Sequence, residues 1–171
     1  MSWTDALEDV IQRYSGQGAG TAAAPADPHG DFQQVARAAP PEVVAEGLSQ
    51  AFRSDQTPPF PQMLSRLFGQ SDSNQRAGLL NRLLGSLGPG AAGSLTGLPG
   101  LSGLLPGGRV SPAQADKVTP GQVEQIAAHA ERRDPSVVDQ VSSFYAQHPQ
   151  VVKAVGGLAL SIALQHMLRR R

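Results

Sequence analysis

The stretch from Ala154 to Leu164 (AVGGLALSIAL) carries no charge and runs directly into Gln165, His166, Met167, Leu168 and three arginines, Arg169 to Arg171. A helix that is apolar on every side cannot lie on an aqueous surface, so this segment demands a cover of protein or lipid. Its small residues indicate how that cover is made. Gly156, Ala159 and Ala163 recur at helical spacing on one side, where a second helix can approach closely. Val155, Leu158 and Ile162 supply bulk on the adjoining face, and Gly157 with Ser161 forms a neighbouring pair. The expected association site is therefore Val155, Gly156, Leu158, Ala159, Ile162 and Ala163.

The rest of the chain is thinly provided with core-forming bulk. Trp3, Tyr14, Tyr145 and five Phe are the only aromatics in 171 residues. Aromatic and β-branched side chains build sheets and thick cores, so their scarcity predicts an all-α fold of thin helical packing. Nineteen Gly and fourteen Pro lie well above the roughly 12% of average combined usage, which assigns much of the chain to linkers. Fourteen basic and fourteen acidic residues cancel, leaving no net field to gather nucleic acid or an anionic membrane over the whole molecule. There is no cysteine, hence no disulfide or thiolate chemistry. The opening MSWTDALEDVIQRY places Asp5, Glu8 and Asp9 where a signal peptide needs a basic start and an apolar block, so the expected compartment is the cytoplasm.

Periodicity and caps divide the chain. Residues 1–14 read as an amphipathic helix, with Trp3, Leu7, Val10, Ile11 and Tyr14 along one side as a hook and Ser2 with Asp5 as a capping pair. Residues 15–30 (SGQGAGTAAAPADPHG) have no periodicity and read as a flexible tether. The hook either detaches or folds back on the main core. Residues 31–87 hold four short helices punctuated by proline, among them Pro41 to Ser54 and a leucine-lined helix starting near Asn74. Residues 88–110, Gly/Leu/Pro-rich and charge-free as far as Arg109, read as a second linker, because such backbone cannot be satisfied in lipid. Residues 111–171 form the best-specified part. Thr119-Pro120 with Gln122, Asp134-Pro135 and His148-Pro149 start helices near 120–132, 135–147 and 149–169. The predicted architecture is two small bundles of proline-capped helices joined by the 88–110 linker, the second a three-helix bundle closed by the apolar helix. The Val-Val and aromatic echo between Pro40–Phe52 and Asp134–Tyr145 is weak and is a general property of proline-capped amphipathic helices.

Chemistry is not signalled. Of His29, His129, His148 and His166, His129 has an acid, Glu131, within ligand-like spacing, but residues two apart on a helix do not face one another. The glycine tract has no preceding strand and no phosphate-binding lysine, and no nucleophile elbow occurs. The pair 120–132 and 135–147 mimics a helix-turn-helix, yet PSVVDQVSSFYAQ has no basic residue and carries Asp139, which a recognition helix should not. The chain is accordingly expected to be non-enzymatic, without cofactor, metal, small-molecule ligand or nucleic acid.

RAGLLNRLLGSLGPG running into the Gly/Leu-rich tract, followed by VTPGQVEQI, resembles YidB-like bacterial proteins over about a third of the chain. The resemblance implies a helical fold and a bacterial setting, and no site residues. The leading expectation is action by association, with itself or another protein, through the carboxyl-terminal bundle. The alternative is a peripheral or tail-anchored membrane protein using residues 151–168 and the terminal arginines. That segment is short for a span, which needs about twenty apolar residues, and Lys153 would have to snorkel.

Overall fold

The computed structural model describes residues 2–15, 28–88 and 109–169. Among them are ten α-helices, one 3-10 turn and no strand, so the chain is all-α. The helices are α1 (Trp3–Ser15), α2 (Pro28–Ala38), α3 (Pro41–Arg53), α4 (Phe60–Gln70), α5 (Ser73–Leu87), α6 (Pro112–Ala115), α7 (Pro120–Arg133), α8 (Val137–Ala146), α9 (Pro149–Val152) and α10 (Gly157–Arg169). The tether expected at 15–30 falls largely outside the described residues, but α1 extends through Ser15 and α2 already begins at Pro28. Of the 88–110 linker, only Gly88, Arg109 and Val110 are described.

The compact units are not the consecutive bundles expected from the sequence. One comprises residues 1–57 and 142–171, the other 58–141, with the boundary falling inside α8. The physical reason is the choice of partner for the last helix. In the first unit α10 packs chiefly on α3 and also on α2, while α1 and α9 pack on α2. The amphipathic faces of α2 and α3, which a local reading pairs with α4 and α5, thus cover a helix more than a hundred residues away in sequence.

Within this unit Phe32, Val35, Val44, Leu48, Tyr145, Val152, Leu160, Ala163 and Met167 are fully buried or nearly so. The expected hook is folded against α2. Val10 is fully buried and Trp3 half-buried, whereas the side chains of Leu7, Ile11 and Tyr14 lie outside the described set. At the start of α1 the Ser2 amide donates to Asp5 Oδ2 at 2.9 Å.

The second unit pairs α4 with α7 and α5 with both α6 and α7. Phe60, Met63, Leu64, Leu67, Phe68, Leu79, Leu80, Leu83, Val123, Ile126 and Ala127 form its buried set. Three helices here start with reciprocal capping boxes: Asp72 with Gln75, Ser111 with Gln114 and Thr119 with Gln122. Each satisfies two amides that a helix start would otherwise leave without partners. Arg76 closes the end of α4 by donating from Nε to the Phe68 carbonyl at 3.0 Å and from Nη2 to that of Gly69 at 3.2 Å. Its guanidinium lies over the Phe68 ring and meets Asp116 at 3.4 Å, and Ser73 donates to the same carboxylate at 2.7 Å. Asn81 ties Val110, the first buried residue after the undescribed stretch, to α5.

The expected helix 149–169 is interrupted. Four residues of α9 lead into a 3-10 turn at Lys153–Val155, then Gly156 takes φ 101° and ψ 157° before α10 begins at Gly157. That backbone conformation is essentially restricted to glycine, so the Gly156-Gly157 pair breaks the helix that apolarity alone suggested was continuous. Ala154 and Val155 consequently belong to a different element from Leu158 onward.

Candidate functional site

The six residues expected to form an association face are distributed between the interior and the surface of the first unit. Ala159 and Ala163 are buried at 2% and 0% exposure, and Val155 is buried in the 3-10 turn. Gly156 lies outside α10 and does not share its face. At Ala163 the helix comes close to α3 of the same chain. A β-carbon placed on Gly47 would stand 2.9 Å from the Ala163 carbonyl oxygen and 3.2 Å from Met167 Cγ. Glycine at this point of α3 lets the two helices touch through backbone, which is where the small face of α10 is used. The cover that the uncharged stretch demands is thus largely intramolecular.

Leu158 is the exception. At 55% exposure it is the large apolar side chain left in water among the described residues. One turn along α10 stands Ile162, half-buried, since residues four apart on a helix are neighbours. The same side of the helix continues through Gln165 and His166 to Arg169.

From Ile162 onward this side borders a cleft of about 250 Å³ lined by Gln50, Arg53 and Ser54 from the end of α3 and by Ile162, Gln165, His166 and Arg169 from α10. Several local features fix the α3 side. The Thr57 hydroxyl donates back to the Ala51 carbonyl at 2.7 Å and to that of Ser54 at 2.9 Å, and the Ser54 amide reaches Ala51 O. These contacts end the helix at Arg53, which donates from Nη1 to Ser49 Oγ at 2.7 Å. On the α10 side, His166 Nε2 lies 3.4 Å from Glu46 Oε1, an ion pair when the imidazole is protonated, and has no hydrogen-bond partner among the described residues. The lining combines two guanidiniums, two carboxamides, a hydroxyl and an imidazole over one aliphatic side chain.

Such a lining offers hydrogen-bond donors and acceptors beside positive charge. Among the described residues no three His, Asp or Glu side chains converge as metal ligands would, and no helix is long and apolar enough to cross a membrane. Sequence reasoning singled out Leu158 and Ile162 but missed Gln50, Arg53 and Ser54, which meet α10 only through the tertiary fold. Their one local signal is a basic residue in the last turn of each helix, Arg53 and Arg169, a placement that also complements the helix dipole. No known protein family, curated protein or solved structure gives a match to this chain.

Proposed function

We propose that this chain acts by binding protein, without chemistry of its own, through the outward side of α10. The observation that carries the reading is the exposure of Leu158 in line with Ile162 at the mouth of the polar cleft. Apolar bulk beside oriented polar groups is the composition of a small protein-recognition patch, where an apolar anchor supplies affinity and polar neighbours fix register. The intramolecular cover of Ala159, Leu160 and Ala163 removes the main reason for obligatory self-assembly, and favours a heterologous partner over a second copy.

A photo-crosslinking amino acid in place of Leu158 tests this in cells, with the same group at exposed Gln125 as control. The expected result is a discrete protein adduct from position 158 alone, with light scattering of the purified chain showing whether the partner is another copy. Equal labelling from both positions would refute the reading. Recovery of the chain with liposomes, without a protein adduct, would replace it with membrane-surface attachment.

A further inference from the structure

We infer that residues 110–116 form a clasp on α5 that opens as one piece while α4 and α7 stay packed, uncovering Ala77 and Leu80. Ser73, Ala77 and Asn81 follow one another four residues apart, with Arg76 and Leu80 beside them, so they share one side of α5. The clasp is fastened at both ends of that side, Val110 to Asn81 by two hydrogen bonds and Asp116 to Ser73 and Arg76. It therefore runs antiparallel to α5, over the roughly 12 Å between Ser73 and Asn81 at the helical rise. Between the fastenings Ala77 and Leu80 are buried, at 6% and 0% exposure, and Ala115 of α6 is fully buried. Among the described residues α6 is the principal neighbour of α5, although it is a single turn of four residues.

Packing makes the clasp separable. A one-turn helix has no stability of its own, and the side chains that the clasp buries, Val110 and Ala115, are small beside Phe60, Met63, Leu64, Leu67 and Phe68 of α4. α4 packs chiefly on α7, so most of the large apolar side chains are held by a helix pair to which α6 adds little. Hydrogen bonding is divided in the same way. The capping boxes at Asp72, Ser111 and Thr119 each close within three residues, so α5, α6 and α7 keep satisfied starts whether the clasp is shut or open. Arg76 likewise keeps the Phe68 and Gly69 carbonyls and the Phe68 ring, giving up only a 3.4 Å contact with a half-exposed carboxylate. Among the described residues, the polar links that opening breaks are those at Asn81, Ser73 and Arg76, and water replaces each of them. Opening below the global transition is the behaviour of an element with few buried apolar contacts.

The chain has no cysteine, so a single introduced thiol reports the opening. In the full chain, Ala77→Cys places the thiol under the clasp and Ala127→Cys places it in α7, where Ala127 is fully buried. With a maleimide, the thiol at position 77 is expected to react about tenfold faster than that at 127, and with less dependence on urea, since a local opening exposes little surface. Asn81→Ala should speed the reaction at 77 by about tenfold, the effect of losing the pair of hydrogen bonds to Val110. Exchange of the Val110 amide in the unsubstituted chain gives the same test without a thiol, and should depend less on urea than exchange of the α7 amides. Equal rates and equal urea dependence at the two positions would mean that the clasp opens only when the unit unfolds, and would overturn the proposal. Reaction at 77 at the rate of a free thiol would refute it by showing that Ala77 is not covered. A rate that Asn81→Ala leaves unchanged would refute it by showing that Asn81 does not fasten the segment.

Discussion

Asn81 holds Val110 by both ends of its side-chain amide: Nδ2 donates to the Val110 carbonyl at 3.1 Å and Oδ1 accepts from the Val110 amide at 2.7 Å. One side chain thereby satisfies both polar groups of a buried residue that has no secondary structure to do so. Asn81→Ala should destabilise the 58–141 unit by about 1–3 kcal/mol, the usual consequence of leaving buried backbone groups unpaired. Hydrogen exchange at the Val110 amide reads the effect directly, and unchanged protection there would show that other groups hold this segment.

Gly47 makes a second prediction whose sign is not obvious. Replacing a mid-helix glycine by alanine normally stabilises by about 1 kcal/mol. Here the added methyl would meet the Ala163 carbonyl at 2.9 Å, and backbone yields only by moving α10. Overpacking of this kind costs about 1–3 kcal/mol, so Gly47→Ala should lower the melting temperature. A rise would mean that α3 and α10 are less tightly apposed than the geometry indicates.

Ala159 and Lys153 differ in burial by enough to separate packing from charge. Ala159 is 2% exposed in α10, while Lys153 stands in water in the 3-10 turn. Ala159→Leu is expected to destabilise by about 1–3 kcal/mol, and Lys153→Gln by less than about 0.5 kcal/mol. Thermal melts of the two variants check the order. The reverse order would point to an electrostatic role for Lys153.

At Gly156 the backbone itself is the constraint. A substitution to Ala meets no atom within 4 Å, yet φ is 101°, so the penalty is conformational, about 1–3 kcal/mol. Gly157→Ala, at the first position of α10, has no positive φ to support and should be tolerated. Urea denaturation of the two variants compares them, and equal midpoints would contradict the strained geometry at Gly156.

How much of this was legible depended on the range of the interaction. The Thr119-Pro120-Gln122 start of α7 was read correctly because every group involved lies within four residues. The small face of α10 announced a close contact, but alanine and glycine indicate how near a neighbour comes and not which neighbour it is. Gly47 gave no sign by itself, since a glycine inside an amphipathic helix is merely tolerated until another backbone is placed against it. The helix break was missed because the uncharged run was read for hydrophobicity, which Gly156 and Gly157 do not interrupt. Arg53 and Arg169 are more than a hundred positions apart. Nothing local in the sequence joins their helices at one cleft.

The capping boxes of the second unit share glutamine at the reciprocal position: Gln75, Gln114 and Gln122. Two of them, Ser111 with Gln114 and Thr119 with Gln122, contain no ionisable group. The hydrogen bonds that initiate α6 and α7 therefore have no proton to gain or lose across the biological range, and little Coulombic character for salt to screen. Helix initiation at these two points is indifferent to the ionic medium, whereas a carboxylate in the same place would have tied it to acidity.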